Sequence, residues 1–266
     1  MTGRVGLALA AHELLERTRD RWVIVISMLF ALLASAVSLY GRNAGENAAA
    51  LTGPSLVTLA SLLVPLVALV LSHDAIVGER DRNTLGLLLS LPASRIEIVA
   101  GKFVGRALAL VLAVVLGIGA AALGATGEQA YVLWSLLGPT LLLGLAFLSM
   151  GMLISSVVAR PVTAASLVIV TWFGLVFFYD LALLGLLVVT DGDVSQDTIA
   201  SLVVSNPVGL YRMILMERTT GPEVLESLGL VVQMPGTLVR IAIWSAWIAG
   251  PVALSGALLA RRKALR

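Results

Sequence analysis

Residues 161–179 read PVTAASLVIVTWFGLVFFY, with no Asp, Glu, Lys, Arg or His among them. A helix rises about 1.5 Å per residue, so roughly 20 such positions cross a hydrocarbon core of ~30 Å. Arg160 bounds this run on one side and Asp180 on the other. Proline opens a helix well and continues one badly, so Pro161 divides this run from the apolar stretch before it. Such runs along the chain, extended at some ends past a charged residue, assign spans at 22–40, 55–76, 104–124, 132–158, 162–187 and 240–260. The apolar residues lie in long runs and do not alternate, which argues against a transmembrane β-barrel. The expected fold is an all-α membrane protein: one transmembrane domain of six helices over residues 1–266.

Composition agrees. Of 266 residues, 59% are hydrophobic and 13% charged, against about 45–50% and about 25% in soluble domains. That excludes an ordinary soluble domain, a disordered chain and a nucleic-acid partner, and makes lipid the surrounding phase. No cysteine is present, so disulfides, thiolate metal sites and cysteine nucleophiles are excluded. Fourteen of the eighteen Lys and Arg fall on one side of the six spans. The positive-inside rule then places both termini in the cytoplasm. Ala34-Ser35-Ala36 resembles a cleavage site, but the mixed-charge segment ahead of the apolar run is long for a signal peptide.

Three segments lie outside the spans. Residues 3–20 repeat Leu7, Ala11, Leu14 and Thr18 at helical spacing, the pattern of an amphipathic helix on the inner membrane surface. The stretch 78–95, GERDRNTLGLLLSLPASR, opens with charges, continues with leucines and breaks at Pro92. It fits a docking surface for a partner groove and equally a loop packed on its own spans. Residues 198–236 hold two weakly apolar stretches, each too short to cross. They read as external re-entrant helices or as an amphipathic outer loop.

Reaction chemistry is sparse. His12-Glu13 begins like a zinc-protease motif without its second histidine, and Gly101-Lys102 lacks the spaced glycine of a phosphate-binding loop. No cofactor is therefore expected in this chain. Asp180 interrupts an apolar stretch and is a possible intramembrane polar site, since a carboxylate in a span marks function by default. Asp180 or Asp74 would serve an intramembrane hydrolase. Met213 and Met216, three apart, are a speculative soft-metal pair, with packing as the plainer role.

The run Ser72 to Arg80 (SHDAIVGER), then Asn83-Thr84-Leu85, Leu87 to Pro92, Ser94-Arg95 and Gly101 to Gly105 (GKFVG) resembles the signature of ABC-2 type transporter permeases. Within that family it is most similar to the NosY-like permeases of transporters that mature nitrous oxide reductase. Ser205 to Arg212 (SNPVGLYR) resembles an external element of that group. Asn83 stands where the family usually has glycine, which bears on the turn into the helix that follows. The resemblance implies a type V exporter-like fold with a cytoplasmic coupling helix. It implies that Glu79, Arg80, Asn83, Thr84, Leu85, Leu88, Leu89, Pro92 and Arg95 engage a separate ABC ATPase, which would hold ATP and Mg. It also implies a second copy of this chain, and a periplasmic β-helical partner touching Asn206, Pro207, Tyr211 and Arg212. The activity would be ATP-driven transport or mechanical transmission, not enzymatic catalysis. The alternative cargoes are a lipid, a drug or a polysaccharide.

Overall fold

A computed structural model describes residues 2–18, 46–123, 125, 127–219 and 235–261, and the isolated positions 28, 31, 32, 35, 36 and 39. Apart from those isolated positions, the expected first span lies outside the described residues, as do the residues between Thr219 and Pro235.

Every regular element among the described residues is a helix: α1 (Thr2–Thr18), α2 (Glu46–Ser72), α3 (Val77–Asp81), α4 (Leu85–Ser90), α5 (Arg95–Ala122), α6 (Gly127–Val157), α7 (Pro161–Phe173), a π turn (Gly174–Phe178), α8 (Tyr179–Val189), α9 (Gln196–Ser205), α10 (Pro207–Thr219) and α11 (Thr237–Arg261). Five stretches among them are long and apolar enough to cross a membrane: Pro54–Asp81, Arg95–Ala122, Leu133–Val157, Pro161–Val189 and Thr237–Arg261. The α9–α10 pair would make a sixth, but it bends by 110° at its break.

Local chemistry sets the boundaries. Ser94 caps α5 by accepting the Glu97 N–H at 3.3 Å, while the Glu97 carboxylate accepts the Ser94 N–H at 2.8 Å. That reciprocal capping box starts α5 at Arg95. The helix then runs unbroken through Lys102 and Arg106. The uncharged run itself starts only at Ala107, so the sequence reading began this span at residue 104 and left Arg95 and Lys102 outside it. Pro161 sits in the first turn of α7, as its fixed φ favours. Pro251 lies inside α11 and lacks the N–H that would bond the Trp247 carbonyl, and Ser149 Oγ of α6 donates to that carbonyl at 2.7 Å, a substitution membrane helices use often.

Helix α6 is the centre of the bundle, packing on α2, α5, α10 and α11. Where lipid surrounds the helices, close contact comes from small residues. A Cβ on Gly151 would meet Ser72 Oγ and lie 3.2 Å from the Leu69 carbonyl oxygen. Ser72 is itself buried and donates to Ala68 O at 2.8 Å, so it has little room to yield. Gly151→Ala is expected to destabilise the detergent-purified chain by about 1–3 kcal/mol, read as a lowered thermal midpoint. An unchanged midpoint would show that α2 and α6 are not in close contact here.

Candidate functional site

The segment from Val77 to Ser94 is two short helices, where the sequence reading expected one coupling helix. Asn83 separates them with φ of 57°. It occupies the left-handed position after α3: its N–H donates to Arg80 O at 3.1 Å, and the Thr84 N–H to Glu79 O at 2.9 Å. Those two bonds define a Schellman stop, whose left-handed residue is usually glycine and sometimes asparagine. The departure from the family's glycine thus keeps the turn.

The structure sorts the expected loop residues by side. Leu85 and Leu89, one turn apart, pack on Ala75, Ile76, Val99, Met152 and Leu259. Arg95 Nη1 donates to Leu89 O at 2.7 Å, covering the end of α4. Arg80 Nη1 donates to Val158 O at 2.6 Å, and Ser155 Oγ accepts the N–H groups of Ile76 at 2.9 Å and Val77 at 3.0 Å. Thr84 Oγ1 bonds the Glu79 carboxylate. Glu79, Arg80, Leu85, Leu89 and Arg95 therefore brace the loop from within. Leu88 is half-buried, while Asn83, Thr84 and Pro92 are exposed. The outward face also carries Leu87, 74% exposed, and Leu91, two residues not among those expected to engage the ATPase. Helical phase would have found Leu87, since it lies opposite Leu85 and Leu89.

Behind the loop is a cluster of charges that sequence reading missed. Lys102 and Arg106, one turn apart on α5, are 2% and 1% exposed. Glu13 of α1, 2% exposed, pairs with Lys102 and accepts from Arg106 Nε at 3.0 Å. Lys102 also reaches Glu79 at 2.9 Å, and Arg106 reaches Asp74 and the Leu71 carbonyl, both at 2.6 Å. Three carboxylates and two cations therefore tie α1, the end of α2, α3 and α5 into one network. Gly101 and Gly105 let α1 come close enough: a Cβ on Gly105 would lie 2.5 Å from Ala10 O and 2.6 Å from Glu13 Cβ. The buried face of α1 is Ala10 and Glu13, whereas Leu7 and Ala11 of the expected apolar stripe are exposed. Ion pairing over a glycine seam fixed the face. The signal was present in Gly101-x-x-x-Gly105, a close-packing spacing followed at each glycine by a basic residue.

At the other end of the bundle the expected partner-contact residues turn inward. Asn206 and Tyr211 are buried, and Tyr211 Oη lies 3.2 Å from Thr140 Oγ1. Pro207 is buried at the start of α10. Arg212 pairs with Asp180 and lies 3.4 Å from Ser61 Oγ. Asn206 and Tyr211 thus hold the bent helix pair in the bundle and do not present their side chains to a partner. Asp180 and Asp74 each face an arginine. That is ion-pair geometry, unlike the two facing carboxylates of an acid protease. Met213 packs against the core and Met216 is exposed, so the two methionines occupy different surroundings. Among the described residues, no three His, Cys, Asp or Glu group together to hold a metal.

Residues 7–264 match the family described as ABC-2 family transporter protein. Two curated relatives, from Pseudomonas aeruginosa and Stutzerimonas stutzeri, are each called a probable ABC transporter permease protein NosY. Each is 36% identical over 269 residues, covering 96% of this chain and 97% of the relative.

The charge cluster makes a direct prediction. Arg106→Ala removes the bonds to Glu13, Asp74 and Leu71 at once, and breaking a buried pair costs about 3–5 kcal/mol. The variant should unfold at clearly lower temperature or denaturant, with Arg106→Lys intermediate because it keeps the charge and loses the planar fork. Equal stability of the three proteins would contradict a buried network.

Proposed function

We propose that this chain, which belongs to the ABC-2 family and is a NosY-like permease subunit of an ABC transporter, takes up motion from its ATPase through the α3–α4 loop. The supporting observation is the loop's division of labour. Leu87 and Leu91 face outward without cover from the described residues, while Glu79, Arg80, Leu85, Leu89 and Arg95 anchor the loop to α5 and α6. An apolar outward face fits a hydrophobic groove on a partner, and rigid anchoring lets a push on the loop reach the spans. ATP and Mg belong to the ATPase subunit. The network lies on the side richer in Lys and Arg, so the charge rule puts this loop and both termini in the cytoplasm of an inner membrane.

In this reading the complex contains two copies of this chain. The Pro161–Val189 span offers largely exposed apolar residues, including Phe178 and Val188, to lipid or to the second copy. The similarity to permeases named NosY supports a role in maturing the copper–sulfur cluster of nitrous oxide reductase. A periplasmic β-helical subunit would meet the outer loops, and the chain would either pass a sulfur or copper species or transmit motion alone.

The assay is co-purification of the native complex from a strain lacking the endogenous permease. Leu87→Glu should reduce the recovered ATPase subunit at least tenfold while the chain remains in the membrane at normal level, and the reductase should then lack its cluster absorbance. Normal ATPase recovery would remove the docking assignment. A reductase with its full cluster in the absence of this chain would instead favour another exported cargo.

A further inference from the structure

The Pro161–Val189 span is interrupted at Gly174–Phe178 by a π turn. Such turns occur mostly as single insertions in α-helices and often mark functional positions. Here the turn is held by the break in the α9–α10 hairpin. Asn206 Nδ2 donates to the carbonyl of Leu175, inside the turn, at 2.7 Å. The same side chain accepts the Val208 N–H through Oδ1 at 3.0 Å. One turn further on, Tyr179 Oη donates to Leu202 O at 2.6 Å and lies 2.8 Å from Ser205 Oγ. Asp180 then pairs with Arg212. Three residues on two successive turns of one span therefore grip a single hairpin. Two other spans hold that hairpin: Trp247 Nε1 donates to Ser205 O at 2.9 Å, and Arg212 Nε lies 3.4 Å from Ser61 Oγ.

We propose that Asn206 is a positioning residue which, with the π turn, forms a two-state latch between this span and the hairpin, and that the latch carries ATP-driven motion to the far side of the bundle. The physical reason is register. One residue of α-helix is about 100° of rotation and about 1.5 Å of rise. If the π turn relaxes to α-helix, α8 turns by that amount relative to α7, and Tyr179 and Asp180 leave Leu202 and Arg212 together. The change is discrete, because each register has its own bonded set, and discrete repacking is what converts a small push into a defined displacement. The link to ATP rests on the permease reading; the latch geometry does not.

Two measurements test the two parts separately. The first uses the chain alone in nanodiscs. Asn206→Ser keeps a short acceptor for Val208 and loses the donor to Leu175, so it should lower the thermal midpoint by several degrees. Deleting Gly174 removes the extra residue of the turn, so adding Asn206→Ser to that deletion should lower the midpoint little further, a non-additive pair. A fully additive drop would overturn the latch without touching the permease assignment.

The second uses the intact complex with its ATPase. The chain has no cysteine, so Leu184→Cys and Ser201→Cys, both at exposed positions, accept spin labels without background. The label distance should shift between nucleotide-free and ATP-bound states by several ångströms, up to about 8 Å for a rotation of this size on a helix surface. Superimposable distances in a complex that hydrolyses ATP would overturn the transmission role. Failure of the chain to recover any ATPase would instead count against the permease reading, while the nanodisc result still decides the latch.

Discussion

Burying two cations beside one another in a membrane protein is expensive unless their partners are close and well aligned. Lys102 and Arg106 are so buried, and Glu13, Asp74 and Glu79 supply the partners from three other elements. Much else follows from meeting that demand. Helix α1 must approach α5 closely enough to deliver Glu13, so Gly101 and Gly105 carry no side chain at the crossing. Asp74 must lie just past the end of α2, so the chain turns there, and Ser155 accepts the two N–H groups which that turn leaves free. Glu79 must face α5, which fixes the phase of α3 and hence the direction in which α4 leaves it. The leucine face points outward as a result of where the charges are neutralised.

The opposite end of the bundle solves a different problem by similar means. A helix pair bent by 110° exposes backbone groups in surroundings poor in water. Asn206 is suited to that position because its amide offers a donor and an acceptor from one short side chain. It spends the acceptor on Val208 within its own turn and the donor on Leu175 across the interface. One residue therefore closes the hairpin and fastens it. Asp180, read from the sequence as an isolated acid in a span, has Arg212 of that hairpin as its partner.

The spans were readable because burial in lipid imposes a length and a composition that few other environments require, and the five described ones fall where the apolar runs lie. The Schellman stop was half-readable, since the family's glycine marks a left-handed position and Asn83 is the other residue that tolerates one. The packing face of α1 was not readable from apolar periodicity. Glu13 is an ordinary surface residue until Lys102 and Arg106, some ninety positions away, give it a reason to be buried. Asn206 and Tyr211 were assigned outward only through the family resemblance, and the partners their side chains meet, Leu175 and Thr140, are distant in sequence. The π turn has no local signature, because an extra residue in a helix is defined by what its neighbours bond.

The outward leucines have a consequence for the life of the protein in the cell. A chain made before its ATPase is available presents Leu87 and Leu91 uncovered at the end of a rigid loop. Exposed apolar side chains on a fixed scaffold are what chaperones and quality-control proteases bind. In the proposed docking, the surface that joins the ATPase would also mark an orphan subunit for removal. The abundance of this chain would then follow that of its ATPase through turnover, without any dedicated regulator.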